Sequence, residues 1–344
     1  MAYSINAKDY FNTKLYTGTG SSNALTGVGF SPDLIWTATR NEAEILPMND
    51  SVNGINNYLR SNASDTLETA GSNITAQSSD GYTVGTENRF NQSSNTFVSW
   101  NWKANGAGSA NTDGSINTTA TSANTTSGFS ISKYTGTGSN ATVGHGLGSV
   151  PAVIMVKNLG GTDSWMVYHK NSNATPEDYI LQLNTTGAAV DNNTIWNDTA
   201  PTSSVFSIGT DAGVNGSSAT YIAYAFAEKT GFSKFGSYTG TGNADGPFIY
   251  TGFKPAWFLW KPYNATDSWN VVDSKRVGYN PDNNRLFPNL SNEEDTQDRV
   301  DLVSNGMKIR TSDGGTNSSS RSYIYMAFAE APLVGTNNIA ATAR

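Results

Sequence analysis

"KYTGTG" at residues 133–138 recurs as "LYTGTG" at 15–20 and "SYTGTG" at 237–242. A tight turn needs glycine, but it does not need the same Tyr and Thr around it. A phrase written three times marks three copies of a larger unit, and internal repeats decide the fold before any other feature does. Working outward, Tyr134 and Tyr238 are 104 residues apart, and the same offset pairs Pro151 with Pro255, Asp163 with Asp267 and Trp165 with Trp269. On that offset the two copies align without a gap from "YTGTG" through "DSW", with His169 opposite Asp273 and His145 opposite Ile249. The first copy follows at an offset of 223 from the third, with Pro32 on Pro255, Asp50 on Asp273 and Leu46 where Trp269 stands.

The ends of the copies match as well: "TFVSWNWK" at 96–103, "TYIAYAFAE" at 220–228 and "SYIYMAFAE" at 322–330. Each alternates with period two. Val98, Trp100 and Trp102 lie on one face, as do Ile222, Tyr224 and Phe226, and Ile324, Met326 and Phe328. Such alternation is a strand with one face in a core. The small residues opposite would let another strand or a subunit approach closely. "PAVIMVK" is apolar on both faces, as a central strand would be. The expected fold is all-β: three tandem antiparallel β-sandwich, jelly-roll-like repeats over 1–103, 128–230 and 231–335. Each is about the size of a small sandwich. Residues 104–127, rich in Gly, Ser, Asn and Thr with Ile116 as the one large apolar residue, read as an exposed linker. Residues 336–344 read as a C-terminal tail, and 50–60 as a short helical stretch.

Composition narrows the function. Charged residues are 14% and the net charge is −7, without the Lys/Arg clusters that phosphate binding needs, so nucleic acid is excluded. No apolar run reaches membrane-span length, so no membrane partner is expected. The chain has no Cys, which suits assembly in a reducing host cytoplasm. Two His, no HxxxH spacing and no Cys leave no expected metal site. There is no GxSxG, and the densest acidic run, "NEEDTQD" at 292–298, reads as a solvated loop. No catalytic residue and no cofactor site is assigned. Trp257 and Trp260 fall on opposite faces of one strand, so one of them is expected to leave its own core. With Tyr263, Arg276 and Tyr279 they form the candidate interface, since Trp and Tyr anchor protein contacts and stack on sugars.

The order "YTGTG… PDLIW… DSW… YIYMAFAE" with the C-terminal "ATAR" resembles a repeat domain common in virion proteins of marine tailed bacteriophages, notably cyanophages. The resemblance implies a sandwich similar to concanavalin A-like lectin folds, displayed on the particle. The expected function is that of a non-enzymatic virion structural protein in a tail fibre or other host-contacting appendage. The alternatives are a capsid decoration or cement protein and, less favoured, a glycan depolymerase. Expected partners are other virion proteins and a host surface glycan or receptor. Analogy with phage fibres points to a homotrimer.

Overall fold

The computed structural model describes residues 5–276, 280 and 283–332. The chain is all-β, and among the described residues every α-helix is a single turn of four residues. Each repeat is two packed sheets. The larger holds the opening strand (Phe11–Thr17, Phe129–Thr135, Ser233–Thr239) antiparallel to the closing strand (Thr96–Trp102, Thr220–Phe226, Ser322–Pro332). Next comes the central strand (Leu34–Thr39, Val153–Asn158, Phe253–Pro262), then a fourth (Pro47–Asp50, Met166–His169, Asn270–Asp273). First and last strands are therefore neighbours, so each repeat closes on itself. Tyr58 and Leu59 lie in a strand, Asn57–Arg60, so the helical expectation over 50–60 is corrected: Tyr58, Leu59 and Arg60 pair across to Asn49, Met48 and Pro47.

The smaller sheets pair Asn23–Thr26 with Gly81–Val84, Ala141–Gly144 with Val205–Ile208, and Phe248–Tyr250 with Gly306–Ile309. These pairings correct the gapless alignment. Val143 faces Phe206 and Ile249 faces Met307, so Ile249 is equivalent to Val143 and not to His145. The third repeat has two more residues before Phe248 and two fewer between Tyr250 and Trp257, where the 104-residue offset returns: Trp257 faces Phe328 as Val153 faces Phe226.

The closing strands use both faces, in the reverse sense to the expectation. Their small face packs inside each sandwich: Ala223, Ala225 and Ala227 share a core with Tyr134, Ile154 and Phe206. The large face packs against the other repeats. Val98, Trp100, Trp102, Ile222, Tyr224, Phe226, Ile324, Met326 and Phe328 all belong to one buried cluster. Burial of this much aromatic area is the main force holding the repeats together.

The segment 104–127 is also corrected. Ala120–Asn124 is a strand on the edge of the second repeat, paired to its opening strand, and Ile116 is buried and bridges to Val143. An edge strand is held by backbone hydrogen bonds, which Ser, Thr and Ala make as well as larger residues do.

Candidate functional site

The "YTGTG" turns form the first constellation. In each repeat the opening strand ends on the Thr, and the Tyr hydroxyl donates to a carbonyl of a one-turn helix: Phe90 (2.7 Å), Val214 (2.7 Å) and Thr316 (2.8 Å). The ring stacks on Phe97, Tyr221 or Tyr323. The residue after each of those carbonyls is a fully buried Asn: Asn91, Asn215 and Asn317. Its Oδ1 accepts the N–H of Thr19, Thr137 or Thr241 at 2.8–2.9 Å. Its Nδ2 donates to two carbonyls, Ser139 and Gly209 in the second repeat, both at 2.7 Å. The first glycine is there for contact: a Cβ on Gly136 would sit 2.4 Å from the Gly216 carbonyl. The second is there for its backbone, with φ of 74° at Gly138. The phrase is thus half of a staple. The other half is written "NQSS", "NGSS" and "NSSS", and sequence reasoning missed it although the words are visible.

The second constellation is the join between repeats. Trp102, Phe226 and Phe328 hold one aligned position, and their rings meet at 6.4, 5.6 and 5.9 Å. A pseudo-threefold axis passes through that triangle. Beside it lies a void of about 10 Å³, lined by Leu34, Trp36, Met155, Trp257, Met326 and others. That is room for one water at most, in apolar surroundings that leave it dry.

Around the axis the same contacts repeat head to tail. The carbonyls of Arg40, Leu159 and Tyr263, one aligned position, accept backbone N–H groups of Glu294 (2.9 Å), Leu67 (2.8 Å) and Ala189 (2.7 Å), each from the preceding repeat. The aligned triple Asp50, His169 and Asp273 reaches forward into the next repeat's closing strand. Asp50 accepts from the Tyr224 hydroxyl (2.8 Å), His169 Nε2 donates to the Tyr325 carbonyl (3.1 Å), and Asp273 accepts from Trp100 Nε1 (3.0 Å). Head-to-tail contacts that close after three steps make a ring. Trp165 and Trp269 add donations to the Arg60 and Gln182 carbonyls of the repeat before (2.8 and 2.9 Å). The first repeat, with Leu46 at this position, uses Ser61 Oγ to the Pro288 carbonyl (2.8 Å) instead.

The electrostatics of the three seams differ. Burial raises the Asp50 carboxyl, which has hydrogen bonds and, among the described residues, no cation beside it. Burial pushes His169 down to about 4, so it is neutral, with Nδ1 accepting the Asn171 N–H. At Asp273 burial acts upward, but Arg276, at 2.6 Å, and the surrounding donors outweigh it and lower the carboxyl.

The expected interface residues are found at these places. Trp257 is 1% exposed, in the shared core 5.5 Å from Trp102. Trp260 is buried in its own repeat, with Nε1 donating to the Gly315 carbonyl at 3.0 Å. Arg276 is buried on Asp273, its guanidinium 5.8 Å from the Trp100 ring. The expectation that these three meet an outside partner is corrected: the repeats close on one another and bury them. Tyr263 is half-buried and supplies a seam carbonyl, and Tyr279 lies outside the described residues. The acidic run is likewise not simply solvated: Glu294 pairs with Arg40 at 2.6 Å across a seam and Asp295 pairs with Arg285 at 2.6 Å. Among the described residues no group of His, Asp and Glu is arranged to hold a metal, and no helix is long and apolar enough to cross a membrane.

A family model described as Domain of unknown function (DUF7483) matches residues 6–332. The chain belongs to this family. The matched span takes in the three repeats and the segment between the first two, so in this chain the DUF7483 unit is the closed ring and not one sandwich. No curated protein matches the chain.

Proposed function

We propose that the chain is a non-enzymatic structural protein of a tailed-phage particle, a rigid surface module that presents loops to a host glycan or receptor. The virion assignment rests on the resemblance of its repeat phrases to virion proteins of marine tailed phages. The observation that supports a display role is how the molecule uses its side chains. Trp100, Trp165, Trp257 and Trp269, with Asp50, Asp273 and Arg276, are committed to contacts between repeats, which leaves the Asn-, Ser-, Thr- and Gly-rich loops at the surface. Loops on a stiff scaffold are the usual place for recognition. Because the three repeats close on one another within one chain, the proposed unit is a single copy, in place of the homotrimer that analogy with phage fibres suggests. A capsid decoration role is the second reading, favoured by the pseudo-threefold, which matches a site of threefold symmetry on a shell.

Mass spectrometry and antibody-gold imaging of purified particles from a phage encoding this chain test the reading. The protein is expected on the particle exterior, and its position separates appendage from shell. Its absence from washed particles overturns the virion role. Light scattering is expected to give a mass near 36.6 kDa.

A further inference from the structure

The second and third repeats differ at one edge. In the second, the opening strand Phe129–Thr135 is covered on its outer side by Ala120–Asn124, with the Thr119 N–H donating to the Lys133 carbonyl at 2.8 Å. The same segment reaches the small sheet, where the Ile116 N–H donates to the Thr142 carbonyl at 3.0 Å. The third repeat follows the second after only "KTG", so no equivalent segment leads into it. Among the described residues its opening strand, Ser233–Thr239, pairs with the closing strand on one side alone. The bonds Ala329 N–H to Phe232 carbonyl and Gly240 N–H to Arg321 carbonyl fix the alternation. Lys234, Gly236 and Tyr238 therefore turn their backbone groups inward, and Phe235, Ser237 and Thr239 turn theirs outward, as Ile131, Lys133 and Thr135 do toward 120–124. On the neighbouring small sheet, the positions of Thr142 and Gly144 are taken by Phe248 and Tyr250, 47% and 57% exposed. Gly144 lies directly under Asn111 of the covering segment, whereas Tyr250 leaves a ring there.

We infer that the outer edge of Ser233–Thr239 is a docking site for an extended strand of a different polypeptide, with Phe248 and Tyr250 as an aromatic ledge beside it. Residues 119–124 show what fits such an edge in this fold: an uncharged, antiparallel run of Thr, Ser and Ala held by backbone hydrogen bonds. An unpaired edge is a template for strand addition. The ledge gives the incoming strand an apolar contact that the second repeat does not need, because there the covering segment is tethered. The inference concerns a partner strand and stands whether or not that partner is a virion protein.

The probe is a synthetic peptide of residues 117–126, NTTATSANTT, added to the full chain. Amide exchange is expected to be fast at Phe235, Ser237 and Thr239 in the free protein and to slow at least tenfold with peptide, while Lys133 does not change. Ser237→Pro removes an outward N–H and leaves the inward ladder intact, so the protein is expected to fold and to bind the peptide at least tenfold more weakly. Phe248→Ala with Tyr250→Ala is expected to weaken binding without changing exchange in the free protein. No slowing with peptide overturns the inference. So does protection in the free chain at every concentration, which means the chain covers its own edge, and so does protection that appears only as protein concentration rises, which means a second copy does.

Discussion

The turn staples and the seams are both threefold features, yet the chain treats their residues differently. At the staple, Tyr, Gly, Gly and Asn are kept in all three copies. At the seam, one aligned position is Asp50, His169 and Asp273, and a second is Leu46, Trp165 and Trp269. The staple is a closed local geometry: Asn215 must accept one N–H and donate to two carbonyls at once, and no other side chain does this in that space. The seam needs only a side chain that exchanges a hydrogen bond with a different neighbour each time. Tyr224 offers an O–H, Tyr325 a carbonyl and Trp100 an N–H, and each partner is chosen to suit. Identity is fixed where every atom is spoken for, and it drifts where the two sides adjust together.

The contrast is tested most strongly at the third seam. Arg276→Met removes the cation from a fully buried Asp273 and leaves the carboxylate to Trp100 and backbone donors. The expected loss is about 3–5 kcal/mol, the usual cost of breaking a buried pair on one side. Denaturant unfolding measures it. If the ring is one cooperative body, the whole transition moves. A third repeat that unfolds alone while the other two hold would mean that the seams are weaker than the sandwiches.

The second seam should make stability depend on pH. His169 is held at about 4 by burial, against about 6.5 in an unfolded chain. Between these values the unfolded state binds the proton and the native state does not, so stability falls as pH drops from about 6.5 to about 4 and then levels. The shift corresponds to about 3 kcal/mol from this group. His145, also lowered by burial, acts in the same direction. Comparing unfolding at pH 7 and pH 4.5, His169→Gln is expected to reduce the difference by most of that amount. An unchanged difference would show that His169 is not held neutral in the native ring.

At the staple, Asn215→Ala is expected to cost about 2–3 kcal/mol, because it leaves the Thr137 N–H and the Ser139 and Gly209 carbonyls without their partner in a buried place. The aligned substitutions Asn91→Ala and Asn317→Ala should cost nearly the same. Seam substitutions, in contrast, should differ from one repeat to the next. Equal seam costs with unequal staple costs would reverse the comparison.

Much of this was legible in the sequence, and the missing parts share a cause. The repeats, the strands and the turn at "YTGTG" follow from period-two alternation and from words that recur. What alternation cannot say is which body a strand's face belongs to. The large face of "TYIAYAF" has the same pattern whether it packs inside one sandwich or against two others, so Trp257 and Arg276 read as outward groups when they are the inside of a ring. Residues 104–127 were misread for a related reason: an edge strand is secured by its backbone, and composition reports only side chains. The staple Asn was missed because a lone polar residue before "SS" has the look of a loop.

The smallest test concerns the residue that closes the staple. Ser94, Ser218 and Ser320 occupy one aligned position, three residues after the Asn, and all have positive φ: 71°, 62° and 69°. This conformation costs an L-residue roughly 1–2 kcal/mol that glycine does not incur. Glycine carries its own penalty of roughly 0.5–1 kcal/mol, from the greater freedom it loses on folding. The two nearly cancel, so Ser218→Gly is expected to be neutral or to stabilise by about 0.5 kcal/mol, the opposite sign to Arg276→Met and to the Asn→Ala substitutions. The same substitution at Ser94 and Ser320 should give the same result, since the backbone is the same in each copy. A loss of more than about 1 kcal/mol at any of them would mean that the Ser hydroxyl, and not the Asn alone, holds the turn.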